Sequence, residues 1–387
     1  MYKLKTLNKI AQAGLDVAGG DGLSLDNETE SPDAILVRSA DMKSMELPEN
    51  LLCIARAGAG TNNIPLDKCT EKGIVVFNTP GANAEAVKEL VICALLMASR
   101  DVVGGIEWVH SIRENGDEIP KMVEKGKSSF IGPEIAGKTL GVVGLGAVGA
   151  KIANTALDLG MKVYGYDPYL SVDAAWRLSS QVKHATDIDT IFQNCDYITL
   201  HVPYMKETHH MFNREAFAKM KDGVRIINLA RGELVDDEAL LEAIDSTKVA
   251  RYVTDFPNAV TANAPNTIPM PHLGASTPES EEKCAVMAAR EAADYLLSGN
   301  IKNSVNMPAV TLERMGASRV CVIHKNVPRM LNGFLDRIGG EDINVAHMIN
   351  AARGNIAYTI IDTDTPVSTG ILEAIQALPD VIRVRVL

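Results

Sequence analysis

Cysteines are few in this sequence, and none of them forms a C-x-x-C pair. The six cysteines are scattered over 387 residues. This pattern predicts buried thiols in a reducing compartment and argues against a disulfide framework. Long apolar runs are also missing, since none approaches the length of a membrane span. Residues 1–15 lack the apolar core and small-residue cleavage site of a signal peptide. We therefore expect a cytoplasmic protein.

Positive charge is in short supply as well. Lysine and arginine together number 38 against 49 acidic residues, which gives a net charge of −11. This balance makes nucleic acid a poor partner, and an anionic substrate would need local arginines to bind it. Several histidines lack the spacing of metal ligands, so no metal site is predicted; they are His110, His184, His201, His209, His210 and His347.

The sequence is long enough for two or three α/β domains. Its 387 residues exceed one compact core, and 46% hydrophobic with 22% charged residues is typical of a globular protein. Short apolar runs at 34–38, 51–56 and 74–77 predict buried parallel strands. A helix follows and ends near Arg100. Residues 101–136 are more irregular, with glycines and mixed charge.

A second series of strands and helices begins at residue 138. Segments 197–203, 224–230 and 249–256 predict further strands, and 280–299 predicts a long helix that returns the chain to the first domain.

The tail has a pattern of its own, with the order βαββαβ. This order predicts a ferredoxin-like plait. Its segments are a strand at 319–323, a helix at 327–339, two strands within 343–362 joined around Arg353–Gly354, a helix at 369–380 and a strand at 381–387.

A G-x-G-x-x-G pattern at Gly144, Gly146 and Gly149 lies between a predicted strand and a predicted helix. The glycines allow a tight turn, close approach of a pyrophosphate and close packing of helix on strand. The next strand ends at Asp167, whose carboxylate can accept a hydrogen bond from a ribose 2′-hydroxyl and would repel a 2′-phosphate. The order of these features predicts an NAD site. The alternative is a plain glycine turn with a surface aspartate.

Two side chains are candidates for chemistry. Arg231 follows the strand 224–230, at the sheet edge where open α/β sheets bind ligands. An arginine there can bind a carboxylate and polarise a neighbouring carbonyl, although position alone supports a surface arginine equally well. His272 lies between a proline and a run of small residues. Taken alone, it is either an acid/base catalyst or an ordinary loop histidine.

Several motifs together resemble the D-isomer-specific 2-hydroxyacid dehydrogenases, and the terminal plait resembles an ACT domain. The motifs are the glycine pattern, Asn228-x-x-Arg231-Gly232, Pro271-His272-x-Gly274, "RAGAG" at 56–60 and "FNTPGANAEAV" at 77–87. The resemblance implies an α/β fold with two Rossmann-like parallel-sheet domains and a ferredoxin-like tail. The domains would be 1–99 with 271–305 for substrate, 100–270 for NAD and 318–387 for regulation. The active site would lie in the cleft between the first two.

The resemblance also implies residue roles. His272 would take the hydroxyl proton as hydride leaves for NAD, and Arg231 would hold the substrate carboxylate. Arg38 and Arg56 could bind a substrate phosphate. The backbone amides of Ala57, Gly58, Ala59 and Gly60 would also meet the substrate. The implied cofactor residues are Thr79, Gly144, Gly146, Ala147, Val148, Gly149, Asp167, Val202, Leu229, Ala230, Asp255, Gly274 and Ala275.

One departure from the family concerns the residue that orients the histidine. The family has a glutamate in an "LDVFxxEP"-like segment, whereas this chain has none between Arg251 and His272. The acid in that segment is Asp255. It could keep the position near the nicotinamide that the family's aspartate has, or it could replace the glutamate.

The implied reaction is the NAD-dependent oxidation of 3-phospho-D-glycerate to 3-phosphohydroxypyruvate, which begins serine biosynthesis. One alternative is another 2-hydroxy acid, such as glycerate or 2-hydroxyglutarate. Another is a non-catalytic NAD-sensing protein on the same fold. The family resemblance also implies a homodimer or homotetramer, with 101–133 as the contact.

The tail is expected to bind an amino acid effector, L-serine, and to inhibit the enzyme. His324 and Asn326 end the first plait strand, and a helix beginning at Val327 would present free amides to a carboxylate. Asn344 could accept the ammonium group. The family often has glycine where Arg329 stands. The alternative is a plait that serves assembly alone.

Overall fold

The computed structural model describes residues 1–387, apart from the side chain of Asp173. The chain divides into two compact units, Met1–Ala82 with Pro278–Leu387 and Asn83–Thr277. The strands are β1 (Tyr2–Thr6), β2 (Leu23–Leu25), β3 (Ala34–Val37), β4 (Cys53–Arg56), β5 (Val75–Phe77), β6 (Thr139–Val143), β7 (Lys162–Tyr166), β8 (Lys183–His184), β9 (Tyr197–Leu200), β10 (Val224–Asn228), β11 (Val249–Thr254), β12 (Thr267–Pro269), β13 (Ser318–Lys325), β14 (Val345–Arg353), β15 (Ile356–Thr363) and β16 (Val381–Val386). The α-helices are α1 (Gln12–Ala18), α2 (Leu66–Glu71), α3 (Ala84–Ser99), α4 (Val102–Ser111), α5 (Ile119–Gly126), α6 (Ala147–Asp158), α7 (Val172–Ala175), α8 (Ile188–Asn194), α9 (Arg214–Lys219), α10 (Asp237–Asp245), α11 (Pro278–Ser298), α12 (Met330–Gly339) and α13 (Thr369–Gln376). Short 3₁₀ helices lie at Arg113–Glu118, Lys127–Phe130 and Gly232–Leu234.

The first unit contains a parallel sheet with the strand order β2-β1-β3-β4-β5. Buried parallel strands favour continuous apolar sequence, which explains why "AILV" predicts β3. In such a sheet, ligands bind at the carboxyl ends of the strands where the order reverses, here beside β1 and β3. Arg38 follows β3 directly, and Arg56 ends β4, where it pairs in register with Val37. Both arginines therefore lie at the carboxyl edge.

The terminal plait has the predicted βαββαβ order, and its antiparallel sheet runs β14-β15-β13-β16. One face of the sheet packs on α12 and α13, as Val322 and Phe334 show. Ile323 and Tyr358 instead join the core that contains Tyr295 of α11. The sequence predicts 318–387 as a domain of its own. In the structure it belongs to the first compact unit, because its second sheet face is buried there.

The plait also supplies hydrogen bonds to the carboxyl end of α11. Arg319 Nη1 donates to the Ser298 carbonyl oxygen at 2.7 Å, and Arg385 Nη2 donates to the Tyr295 carbonyl oxygen at 2.6 Å. Helix ends leave carbonyls without partners and favour cations nearby. Since the last turn of α11 has no basic residue of its own, the plait provides these cations.

The second unit contains a seven-stranded parallel sheet with the order β12-β11-β10-β9-β6-β7-β8. Counted within the unit from β6, the order is 3-2-1-4-5-6-7, which is that of dinucleotide-binding sheets. The order reverses between β6 and β9, so the cofactor crevice is expected at their carboxyl ends. The last strand, β12, is not predicted from the sequence.

The observed boundaries differ from those predicted. The sequence places residues 84–99 in the first domain, but Val91 and Leu95 of α3 share a core with Leu140 and Ile152 of the second unit. The first unit resumes at Pro278, seven residues later than predicted. Residues 101–136 contain α4 and α5 and are therefore more regular than expected.

All six cysteines are unpaired in the described structure. Cys93 is exposed, contrary to the expectation that all are buried.

Among the described residues, no helix combines the length and apolar character needed to cross a membrane.

Candidate active site

The glycine loop lies between β6 and α6, where the order of the second sheet reverses. Gly144 has a φ of 91°, and a Cβ there would lie 2.7 Å from the carbonyl oxygen of His201, which follows β9. A Cβ on Gly149 would lie 1.9 Å from the Gly144 carbonyl oxygen. Gly146 faces open space, and no side chain caps α6. The amides of the first helical turn are therefore available to an anion.

Asp167 is held beside this loop by the backbone. Its Oδ2 accepts a hydrogen bond from Leu145 N at 2.9 Å, and its Oδ1 accepts one from Tyr169 N at 2.9 Å. A carboxylate has about four lone-pair sites, so both oxygens can accept further hydrogen bonds. This arrangement suits recognition of a ribose hydroxyl.

The remaining predicted cofactor residues of the second unit lie at strand ends and helix starts. They are Ala147 and Val148 in the first turn of α6, Val202 after β9, Leu229 and Ala230 after β10, and Gly274 and Ala275 after β12. Thr79 belongs to the first unit, and its buried hydroxyl has no hydrogen-bond partner among the described residues. The open glycine cradle and the placed Asp167 fit a dinucleotide.

Arg231 extends from a turn that Asn228 holds in place. The Asn228 side-chain amide donates to the Arg231 carbonyl oxygen at 2.8 Å, and its oxygen accepts from Arg231 N at 3.3 Å. Asn228 is fully buried and also donates to the Tyr252 hydroxyl. The Arg231 guanidinium donates to the Ala230 carbonyl oxygen at 2.6 Å. The turn thus fixes the base of a charged side chain beside the sheet edge.

Phe256 brings Arg231 and His272 together. The ring centroids of Phe256 and His272 are 4.5 Å apart, and Arg231 Cζ lies 5.5 Å from the Phe256 centroid. Phe256 is not predicted from the sequence as a site residue. Its signal is weak, since it is one aromatic residue just after a strand in a polar segment. The contact nevertheless places the two predicted catalytic side chains on one aromatic ring.

Asp255 holds the His272 loop through two hydrogen bonds. Its Oδ2 accepts from Gly274 N at 3.0 Å, and its carbonyl oxygen accepts from His272 N at 3.0 Å. Its Oδ1 is buried and has no partner in the described part of the chain. Burial raises the pKa of this carboxyl, while the Gly274 amide and the charges of His272 and Arg231 oppose that rise. The carboxylate therefore bonds to the loop backbone, and no side-chain hydrogen bond to the imidazole is seen.

In the first unit, Arg38 forms an ion pair. Its Nη2 lies 2.7 Å from Glu281 Oε1 in the first turn of α11. Arg56 Nε donates to the Arg38 carbonyl oxygen at 3.1 Å. The two predicted phosphate ligands are therefore neighbours, and a carboxylate contacts one of them.

In the loop after β4, two of the four backbone amides predicted to meet the substrate already donate hydrogen bonds within the protein. The Ala57 amide donates to the Val37 carbonyl, and the Gly58 amide donates to the Arg56 carbonyl. Within the described structure, the amides of Ala59 and Gly60 donate no hydrogen bond. Of the four amides predicted to meet the substrate, these two are available.

The predicted effector residues are engaged within the plait. His324 is 3% exposed; its Nδ1 lies 2.8 Å from the Lys325 carbonyl oxygen, and its Nε2 lies 2.9 Å from Thr359 Oγ1. The amides of Asn326 and Asn344 also have partners inside the plait. The His324 imidazole therefore has a structural role in this structure.

The helix after this strand begins at Met330 and not at Val327. Arg329 has a φ of 70°, in the left-handed region that a right-handed helix cannot include. Pro328 precedes it in the turn. This conformation explains why glycine suits the position better, as in the resembled family.

Comparison with known proteins identifies the family. The family model described as "D-isomer specific 2-hydroxyacid dehydrogenase, NAD binding domain" matches residues 92–274. A hydroxypyruvate reductase from Thermotoga maritima is 39% identical over 266 residues, which cover 66% of this chain and 81% of that protein. The chain therefore belongs to the D-isomer-specific 2-hydroxyacid dehydrogenase family and carries its NAD-binding domain.

Two further similar proteins carry the name 3-phosphoglycerate dehydrogenase. The D-3-phosphoglycerate dehydrogenase of Archaeoglobus fulgidus is 34% identical over 322 residues, or 79% of this chain and 58% of that protein. The chain thus spans less than two thirds of the length of this relative. An NAD⁺-bound 3-phosphoglycerate dehydrogenase from Entamoeba histolytica is similar in structure, with a TM-score of 0.62, 26% identity and coverage of 79% of this chain and 98% of that one.

Proposed function

We propose that the chain is an NAD-dependent dehydrogenase of a 2-hydroxy acid. The observation that carries the proposal is the placement of Arg231 and His272 on Phe256, with the buried carboxyl of Asp255 behind them. A guanidinium that binds a carboxylate and an imidazole that accepts a proton are the groups needed to oxidise a 2-hydroxy acid.

The residues divide the chemistry among them. When bound, NAD would supply the hydride acceptor for the substrate carbon. His272 removes the hydroxyl proton, and its imidazole nitrogens have no hydrogen-bond partner within the described structure. Arg231 binds the substrate carboxylate and polarises the carbonyl that forms. Asp255 keeps the His272 loop in position through Gly274, so its role here is positioning.

The substrate we propose is 3-phospho-D-glycerate, which would be oxidised to 3-phosphohydroxypyruvate. Arg38 and Arg56 at adjacent strand ends support a phosphate contact. Relatives named D-3-phosphoglycerate dehydrogenase support the same choice.

A second candidate is an unphosphorylated acid such as glycerate. Glu281 already contacts Arg38, and one relative is named hydroxypyruvate reductase. The test is NADH formation, followed at 340 nm, with 3-phosphoglycerate, glycerate and 2-hydroxyglutarate supplied separately. Turnover of 3-phosphoglycerate with the highest kcat/KM supports the first candidate. Absence of turnover with all three would reject the proposal.

The proposal extends to assembly. Helix α4 exposes Val102, Ile106 and Val109, at 45%, 52% and 40% respectively. An apolar surface of this kind supports the proposed homo-oligomeric contact through 101–133. Light scattering that shows a monomer at micromolar concentration would reject it.

The plait remains a proposed L-serine site. The state described uses His324 internally, so serine would have to displace contacts of Asn326 and Asn344. We expect inhibition by millimolar serine, weakened in Asn344→Ala. No inhibition and no thermal shift would leave the plait as a structural element.

A further inference from the structure

We propose that Glu281 sets the preference between phosphorylated and unphosphorylated substrates by competing with the substrate phosphate for Arg38. The inference rests on the proposed function and concerns the same substrate site. The Glu281 Oε1 to Arg38 Nη2 distance is 2.7 Å, and the two side chains are 42% and 40% exposed. The pair is therefore formed in this structure, yet it remains accessible to a ligand.

The surroundings of Arg38 favour an anion. Arg56 is tied to Arg38 through the hydrogen bond from its Nε to the Arg38 carbonyl oxygen. In the described structure, Nε and Nη1 of Arg38 have no partner, so the guanidinium keeps donors for a further acceptor. Glu281 occupies only the Nη2 side. A phosphate that binds Arg38 must therefore share the guanidinium with Glu281 or displace its carboxylate from Nη2.

Charge decides which substrate this arrangement favours. A phosphate monoester carries about −1.5 to −2 charges at pH 7, whereas the hydroxyl that replaces it in glycerate is neutral. The Glu281 carboxylate lies 2.7 Å from one of the two guanidinium groups proposed to meet the phosphate, and it repels an anion that binds there. The Glu281 carboxylate therefore weakens the binding of the phosphorylated acid and has little effect on the neutral group.

The same helical turn offers a matched control. Glu279 also lies in the first turn of α11, where acidic residues suit the helix dipole. It is exposed and has no ion pair in the described structure. Its removal changes the helix and the net charge as removal of Glu281 does, but leaves the contact with Arg38 intact.

The experiment compares kcat/KM for 3-phosphoglycerate and for glycerate with saturating NAD. Glu281→Gln should raise the ratio of the two values by about two- to fivefold, since one close charge pair at a partly exposed site has an effect of this order. Glu279→Gln should change the ratio less than twofold. In an Arg38→Gln background, Glu281→Gln should no longer alter the ratio, because the two residues act as a pair.

The possible failures can be told apart. If the native chain oxidises neither acid, the proposed function is wrong and the inference falls with it. If the native chain is active but Glu281→Gln shifts the ratio no more than Glu279→Gln does, the proposed function stands and the role of Glu281 is rejected. A full effect that persists in the Arg38→Gln background would also reject the competition for Arg38.

Discussion

His272 is held by its backbone and by an aromatic ring. Its φ of 49° places the residue in the left-handed region, and its N–H donates to the carbonyl oxygens of Asp255 and Met270 at 3.0 and 3.1 Å. Phe256 packs against the imidazole. The missing glutamate is therefore not replaced by another carboxylate bonded to the ring. Loop geometry positions the imidazole instead.

Replacing His272 tests the proton acceptor. His272→Ala should lower kcat by about 10²- to 10⁴-fold, the usual contribution of a positioned general base. Steady-state NADH formation measures this effect. His184→Ala, an exposed histidine on β8, serves as the control and should remain close to the native rate. A native-like kcat in His272→Ala would remove the acid/base assignment.

Glu291 predicts a pH dependence of stability. Its side chain is 8% exposed, its Oε1 accepts from Asn303 Nδ2 at 2.6 Å, and its buried Oε2 has no partner among the described residues. Burial raises the pKa of Glu291 from 4.5 to about 7. A pKa that is higher in the folded state favours folding below the unfolded value, and this contribution is lost as the pH rises through about 7.

Glu291→Gln should therefore remove part of the pH dependence. Between pH 5 and pH 8, the native free energy of unfolding should fall by up to about 3 kcal/mol relative to that of the variant. Urea unfolding at both pH values measures the difference. Glu282→Gln, an exposed neighbour on α11, should unfold like the native chain. Equal pH slopes in native protein and Glu291→Gln would contradict the expected burial effect.

The glycine loop and the strand after α6 act together in cofactor choice. Asp167 is positioned through Leu145 N, so its carboxylate should favour the free ribose hydroxyl and repel the phosphate of NADP. Asp167→Ala should lower kcat/KM for NAD by about tenfold, which is roughly the loss of one charge-assisted hydrogen bond. The ratio of kcat/KM for NAD to kcat/KM for NADP should also fall. Kinetics with both cofactors measure this. Equal use of NAD and NADP by the native chain would show that Asp167 does not select.

Strand β16 should stabilise α11 through Arg385. This side chain lies 4.2 Å from the Tyr295 ring centroid and donates to the Tyr295 carbonyl oxygen. Arg385→Met keeps the packing volume but removes the cation and the hydrogen bond, and should lower the free energy of unfolding by about 1 kcal/mol. The loss is reduced because Nε and Nη1 of Arg385 are buried without partners in the described structure. Arg314→Met, an exposed control, should cost much less. Equal losses in chemical unfolding would contradict this role of Arg385.

The sequence predicts those parts of the molecule that depend on local pattern. The glycine loop, β6 and Asp167 follow from residues near one another in the chain, and Arg231 and His272 follow from family motifs. Phe256 and Glu281 are not predicted as site residues, because their roles depend on contacts with residues distant in sequence. The later start of α12 depends on the left-handed Arg329, which no apolar periodicity reveals.

The boundaries of the two units also depend on contacts between residues distant in sequence, and local pattern does not predict them. Helix α3 has the apolar pattern of any buried helix, and only the core that it shares with Leu140 assigns it to the second unit. The plait likewise looks independent in sequence, but Tyr358 donates a hydrogen bond to the Gly299 carbonyl oxygen at 2.7 Å, just past α11. We therefore expect the plait to unfold together with the rest of the first unit.

The proposed hydride transfer from a 2-hydroxy acid to NAD is tested most directly by isotope transfer. Glycerate and 3-phosphoglycerate, each deuterated at C2, would be incubated with NAD and the native chain. Mass spectrometry of the reduced cofactor should show one deuterium per turnover, at a much lower rate in His272→Ala. If calorimetry shows that NAD binds but no deuterium reaches it from either acid, the chain is not a dehydrogenase of these substrates and a binding role on the same fold becomes the better explanation.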